Sequence, residues 1–403
     1  MNDSFFRTPF WLTAMLISTC TAVLFGKVQE NPVQADQPAV NVKAETPQIE
    51  VCFALDTTGS MGGLIQGAKD KIWSIANELI LTKPAPQLKF GLIGYRDRGD
   101  TYVTKLTDLS DDIDEIHSQL MAFAANGGGD LPESVNQALN EAVNKISWSD
   151  GRKVLKIVFL VGDAPPQMGY DEVQYPEICK AAIEKSLIIN TIQCGSTPST
   201  SDIWKEIAKK GEGIYTAILQ TGGTVAINTP FDEEISKLNV KLNRTVVCYG
   251  DEIVQLANQA KLASNEASNR EAIADRANFY SRSRSAGGVR GGRLGKVIGG
   301  HADLVEKLMN DEVDLNTIDK SKLPPELREL TPEAQKAAIQ RKVADRKSLQ
   351  KEMDALVKKR TDYIATEKKK IAAAGKIDSF DTEVKEMIRV QGKTRGINFE
   401  TEK

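Results

Sequence analysis

Three short stretches of this sequence carry oxygen-bearing side chains at spacings that could do chemistry. In "DTTGSMGG", residues 56–63, Asp56, Thr58 and Ser60 stand at alternate positions directly after the apolar run "IEVCFAL", and glycines close the stretch. "NGGGDLPES", residues 126–134, offers Asp130 and Glu133, and "VGDAPP" offers Asp163 at the end of the apolar run "VLKIVFLV". Carboxylates and hydroxyls without imidazole or thiolate form a hard-ligand set, which suits Mg2+, Ca2+ or Mn2+ and not zinc. Two rival readings use the same residues. Asp56 could be the nucleophile of an aspartyl-phosphate enzyme, or the first stretch could be a helix cap, which accounts for Ser60 but not for Asp130 and Asp163.

The elements that must position these groups are legible from periodicity. Residues 49–219 alternate apolar strand-like runs ("IEVCFALD", "LKFGLIGYRD", "VLKIVFLVGD", "LIINTIQCG", "GIYTAIL") with helical spacing over residues 63–81, 113–123, 132–146, 173–185 and 201–209. In the first helix the apolar set is Leu64, Ala68, Ile72, Ile75 and Leu79. "TYVTKLTDL" reads as the hairpin partner of the second run, with "RGD" (Arg98, Gly99, Asp100) as the turn between them and not as an adhesive tripeptide. This alternation predicts an α/β fold, a doubly wound and mostly parallel sheet of Rossmann-like type, followed by an all-α C-terminal extension with one long helix. In such sheets ligands bind at the carboxyl ends of the strands, where the strand order reverses. The first and third stretches fall at strand ends, and the second opens a helix at the same edge.

These residues resemble the von Willebrand factor type A domain and its metal-ion-dependent adhesion site, an Asp-x-Ser-x-Ser loop joined by a threonine and an aspartate from two further loops. The combination "DTTGSMG", "YRDRGD", "GGGDLPES" and "VGDAPP" is more similar to a hemicentin-like subgroup, over residues 49–220. The resemblance implies that Asp56, Thr58, Ser60, Asp130 and Asp163 hold a divalent cation, Mg2+ or Ca2+, through which another protein is bound. Thr58 keeps the hydroxyl of the serine it replaces. Asp130 stands where the threonine usually does, which would put up to three carboxylates around one ion. That departure implies water-mediated ligation by Asp130, a lean toward Ca2+, or a partner group that is not acidic. Glu133 could add to the set, although a first-turn acid more commonly complements the helix dipole.

Competing assignments fail on detail. The phosphatases that "DTTGS" also resembles want an aspartate where Thr58 stands, and "GGGDLPES" has no role in their scheme. In "GLIQGAK" the spacing of Gly67 and Lys69 does not make a phosphate loop. The two histidines, His117 and His301, lie far from the three stretches, which removes support for triad hydrolysis and zinc chemistry. No catalytic residue is expected, and the protein is read as a non-enzyme.

The rest of the chain bounds the setting. Its 403 residues exceed one typical domain, and 41% hydrophobic residues suffice for a substantial core. A net charge of -3 argues against a nucleic-acid partner, which would need concentrated positive charge. Residues 1–35 hold a short apolar stretch, "FWLTAMLISTCTAVLF", that fits a signal peptide or an N-terminal membrane anchor and predicts a secreted or periplasmic protein. A proline-bearing linker spans 36–48. Beyond 220, polar helix-prone sequence leads to a Gly/Arg-rich hinge near 281–300 and then to a long helix over about 331–374. That helix carries twelve Lys+Arg against six Asp+Glu, a local +6 that leaves -9 on the remainder. Its stripe of Ile339, Val343, Met353, Val357, Ile364 and Ile371 is interrupted by Arg346, Gln350, Arg360 and Glu367. A weak coiled coil or hairpin, homo-oligomerisation, internal docking and an acidic partner are all open to it. Once the leader is set aside, Cys52, Cys179, Cys194 and Cys248 show no metal spacing; Cys52 and Cys194 read as buried thiols. The expected function is an exported, metal-dependent adhesion or assembly module. The alternative is an adaptor of an AAA-type ATPase or chaperone system.

Overall fold

The structure is a computed structural model that describes residues 47–82, 85–129, 131–151, 154–223, 227–285, 300–373 and 380–399. The leader, most of the linker, residues 286–299 of the hinge, and Asp130 lie outside the described residues.

Six strands form one sheet in the order β3-β2-β1-β4-β5-β6. They are β1 (Gln48–Asp56), β2 (Gln87–Tyr95), β3 (Thr104–Ser110), β4 (Val154–Gly162), β5 (Leu187–Cys194) and β6 (Glu212–Ile218). All neighbours are parallel except β2 and β3, the expected hairpin. β1, β4 and β5 are rich in apolar residues and buried along nearly their whole length because both faces of the sheet are covered; every residue from Ile49 to Asp56 is buried. Strand order reverses between β1 and β4, and the register sets Leu55 beside Val161 at that seam.

Alternate residues of β1 serve opposite cores. Cys52 and Ala54 face α3 (Val135–Asn144), α4 (Tyr175–Glu184) and α5 (Pro198–Lys210). Val51, Phe53 and Leu55 face α1 (Gly62–Leu79) and α2 (Ile113–Met121), together with helices from the second half of the chain. Those are α6 (Asp232–Asn243), α8 (Arg270–Ser285), α11 (Pro332–Ala373) and α12 (Phe380–Thr394). α7 (Glu252–Glu266) packs on α2, and α9 (Leu304–Met309) and α10 (Pro325–Arg328) form a separate small cluster with Ile339 of α11. Leucine and isoleucine at the predicted spacing of α1 are buried, as expected from a helix with one face on the sheet.

The C-terminal helices share the sheet's core. Phe380 of α12 is 1% exposed and lies 6.5 Å from Phe53, which itself stacks on Phe159 at 5.3 Å. On the same face, buried Asn190 of β5 and Gln391 of α12 are hydrogen-bonded to each other. Trp73 of α1 packs against Phe279 and Tyr280 of α8, and Arg276 of α8 makes two 2.6 Å hydrogen bonds to Asp114 of α2, both side chains buried.

In α11 three of the four polar interruptions of the stripe, Arg346, Gln350 and Arg360, are among its most buried positions. Arg346 pairs with Asp303 and, at 3.5 Å, with Glu306; Arg360 pairs with Asp232 at 2.8 Å and Asp275 at 2.6 Å. Read as breaks in a coiled-coil seam, these arginines are instead the contacts by which the basic helix docks on the acidic remainder of its own chain. Apolar burial in α11 is confined to Ile339, Met353, Leu356 and Val357. Among the described residues the four cysteines are free and buried, so none of the three possible pairings forms, and no helix is long and apolar enough to cross a membrane.

Candidate metal site at the β1–β4 edge

Asp56 is the last residue of β1 and is fully buried. The strand ends here because the next residues turn: Thr58 donates both its N–H, at 2.8 Å, and its Oγ1–H, at 2.7 Å, to Asp56 Oδ1. Thr58 Oγ1 is also 3.3 Å from Ser60 Oγ, so the alternate spacing brings all three oxygens together. Ser60 and the flanking Gly59 are exposed, which opens the group to solvent on one side. Asp56 Oδ2 is buried with no hydrogen-bond partner. Burial pushes the Asp56 carboxyl up to about 7, against the hydrogen bonds from Thr58 that favour its charged form, with Asp163 adding repulsion.

Asp163 follows β4 directly and receives the Nε2–H of Gln220 at Oδ2, at 2.7 Å. The neighbouring Gly162 is needed for this approach: a Cβ there would lie 3.0 Å from Asp56 Cβ and would collide with the Tyr95 hydroxyl. The segment between α2 and α3 closes the site from a third side. Gly59 donates to Gly127 O at 3.1 Å and Asn126 to Thr57 O at 3.1 Å. Gly127 and Gly128 have φ of +75° and +77°, a left-handed pair that places a Gly127 Cβ, were there one, on the Asp100 carboxylate, which accepts from Gly128 N at 3.2 Å.

Glu133 occupies this edge in a way the sequence did not convey. The helix predicted from residue 132 begins at Val135, so Glu133 is outside its first turn, and dipole complementation is not its role. It is 3% exposed, and its Oε2 is buried without a partner. Burial, and then the carboxylate of Asp56, push it up to about 9. Its signal in the sequence was the proline before it, which starts the helix later than periodicity suggests.

Second-line residues hold these loops. Arg96 donates to Thr57 O at 3.1 Å and to Ala124 O at 2.8 Å; Asp97 accepts from Ser134 Oγ at 2.7 Å and Tyr170 OH at 2.8 Å. Arg98 lies 3.9 Å over the Tyr170 ring and pairs with Glu172 at 2.9 Å. "RGD" is therefore a turn whose charged ends are committed to the protein itself.

The structure thus brings Asp56, Thr58 and Ser60 together at the strand-order reversal, next to Asp163. Among the described residues no three of His, Cys, Asp and Glu stand close enough to hold an ion by themselves. The donor set that does converge is mixed, carboxylate with hydroxyl. It fits a hard divalent cation on one specific ground: Asp56 Oδ2 and Glu133 Oε2 are buried acceptors with no hydrogen-bond partner among the described residues. Asp56, Thr58, Ser60 and Asp163 are the residues that would hold the ion. Its chemistry there would be charge neutralisation and an open coordination position for an external oxygen.

Residues 50–230 match the family model described as the von Willebrand factor A domain. The matched segment contains every candidate ligand. Over 118 residues, 29% of this chain, the sequence is 27% identical to an ariadne-like RING finger protein of Acanthamoeba polyphaga mimivirus. The chain spans only about a tenth of that relative's length, 11%. Solved structures with a similar fold include the conserved protein BatB from Bacteroides thetaiotaomicron, 19% identical, with 42% of this chain and 90% of that one covered at a TM-score of 0.32. Proximal thread matrix protein 1 from the mussel byssus, described with a zinc-occupied MIDAS motif, is 16% identical over 43% of this chain and 42% of that one, at a TM-score of 0.34. At those scores neither adds to the fold established by the strand order.

Proposed function

We propose that the A-type domain is a recognition module that binds another protein through a divalent cation held at the carboxyl edge of its sheet, without turnover. The observation that carries this reading is the fully buried Asp56 at the β1–β4 reversal, its Oδ2 unsatisfied, with the hydroxyls of Thr58 and Ser60 gathered beside it. Mg2+ and Ca2+ are the candidate ions, since the donors are all oxygens. The apolar leader supports an exported setting, secreted or periplasmic, in which such a module serves adhesion or assembly. The internal pairing of Arg346 and Arg360 favours a C-terminal region that braces the domain over one that presents a free basic helix.

A thermal-melt series in Mg2+, Ca2+ and EDTA, run on the wild type and on Asp56→Ala, tests the reading. A cation that binds only the native state raises its melting temperature, and the rise disappears in the variant. Indifference of the wild type to all three conditions counts against the site. Phosphate release that depends on Asp56 would instead identify an aspartyl-phosphate enzyme.

A further inference from the structure

α7 is amphipathic the wrong way round for a helix packed on a globular body. Its buried positions, Gln255, Asn258, Lys261 and Asn265, are polar, and its exposed positions Ile253, Leu256, Ala257 and Ala260 are apolar at the i, i+3, i+4, i+7 spacing that normally marks a core face. Ile253 is 82% exposed and Leu256 58%, with Val254 beside them at 43%. The inversion is fixed by partners on the buried side. Gln255 donates to Gly250 O at 2.8 Å and Lys322 O at 3.2 Å, Asn258 to Cys248 Sγ at 3.5 Å and Lys261 to Asp112 at 2.5 Å, while Asn265 Oδ1 lies 3.2 Å from His117 Nδ1. Turning the helix to hide its aliphatic side chains would strip these contacts, so the apolar stripe stays in water unless another surface covers it. A contiguous apolar stripe rimmed by polar groups marks an interaction site, unlike aliphatic residues scattered singly.

An open groove of about 270 Å3 runs between α2 and α7, with Asp112, Glu115, Gln119, Val254, Ala257 and Lys261 in its walls. Its charge is one-sided. Lys261 is the only lysine or arginine in either helix and is committed to Asp112, whereas Glu115, Glu252 and Glu266 on the helices and Asp251 at the cap of α7 are all exposed. An apolar stripe with an acidic border fits a helix whose own faces are apolar and basic, and it repels the anionic surface of a membrane.

We propose that the groove between α2 and α7 docks a basic amphipathic helix of another protein, its apolar face on Val254, Leu256 and Ala257 and its lysines or arginines toward Glu115 and Glu252. The surface uses none of the residues assigned to the cation and acts independently of it.

The experiment is fluorescence anisotropy on the full chain in EDTA, with two labelled peptide probes: an amphipathic helix of leucine and lysine, and its counterpart with glutamate in place of every lysine. Wild type is expected to bind the lysine peptide at least about tenfold more tightly than the glutamate peptide, an advantage that shrinks as salt is added. The double variant Ile253→Gln with Leu256→Gln is expected to lose at least about tenfold in affinity for the lysine peptide, as removal of apolar anchors does. Glu115→Lys should weaken the same peptide and leave less salt dependence. Both variants should keep the wild-type melting temperature, because every changed side chain is exposed. Equal binding of the lysine peptide by wild type and the double variant overturns the proposal, as does failure of the wild type to bind it. A wild-type dimer in sedimentation that the double variant dissociates also overturns it, since the stripe is then covered by a second copy. With the ion removed by EDTA, none of these results depends on the metal-site reading.

Discussion

Asn190, at the centre of β5, and Gln391, in α12, exchange two side-chain hydrogen bonds of 3.0 and 2.6 Å across 201 residues of sequence, both of them buried. Asn190 Oδ1 also accepts from Ile214 N at 2.8 Å, which ties the pair to β6. Replacing Gln391 with leucine strips Asn190 Nδ2 of its partner and leaves Oδ1 with the Ile214 N–H alone. The expected loss is about 1–3 kcal/mol of stability, read as a lower urea midpoint.

Phe380 supplies the apolar half of the same attachment. Truncating it to alanine opens a void beside Phe53, and a loss of about 3–5 kcal/mol is expected. An excised fragment ending at residue 230 lacks α12 altogether. It should bind a hydrophobic dye and melt without cooperativity, whereas a sharp transition at the full-length temperature would show that α12 is dispensable.

Arg346 is fully buried with Asp303 and Glu306 as its partners. Arg346→Met keeps the length of the side chain but strands Asp303 without a counter-charge. The expected cost is about 3–5 kcal/mol, typical of removing one member of a buried pair. A change under 1 kcal/mol in chemical denaturation would mean that Asp303 can be satisfied by other groups.

Gln220 should matter for the ion without touching it. Its Nε2–H orients the Asp163 carboxylate, and hydrogen bonds to a ligating group are commonly worth about 10–100-fold in metal affinity. Gln220→Ala is therefore expected to lower cation affinity by at least about tenfold while leaving the unfolding midpoint nearly unchanged. A rise in affinity would identify the amide as a competitor for the site.

His117 predicts a pH dependence. It is buried against Trp73, with Asn265 Oδ1 3.2 Å from its Nδ1 and with Asp114 and Arg276 nearby, and burial pushes its pKa down from 6.5 to about 4. The unfolded chain therefore takes up the proton first as pH falls. Stability tied to this group is full above pH 6.5, declines between 6.5 and 4, and levels off below. The total is up to about 3 kcal/mol. His117→Asn should flatten that part of the curve of unfolding free energy against pH, and parallel curves for the two proteins would refute the assignment.

The sheet and its first site loop were legible because their signals are local. Continuous burial of β1 and β4 writes an apolar run, and a carboxylate at the end of such a run marks the strand's carboxyl end, where Asp56 and Asp163 both stand. Glu133 was read as a possible addition to the set or as a first-turn acid; it lies before the helix, and its burial comes from a backbone bridge to Pro165 and Gln167 that no periodicity records. The docking of α11 was obscured for a related reason. An arginine in a helical stripe looks like a solvated interruption, and only the long-range arrival of Asp303, Asp232 and Asp275 turns Arg346 and Arg360 inward. Gln220 carried no signal at all, being one polar residue after an edge strand.

Because Phe53 and its neighbours on β1 are covered by α12, a ribosome completes the sheet's central strand long before it delivers the segment that shields it. During that interval the apolar face of β1 and α1 is open to solvent and to other nascent chains. Native packing of that face therefore waits until residues 380–399 emerge.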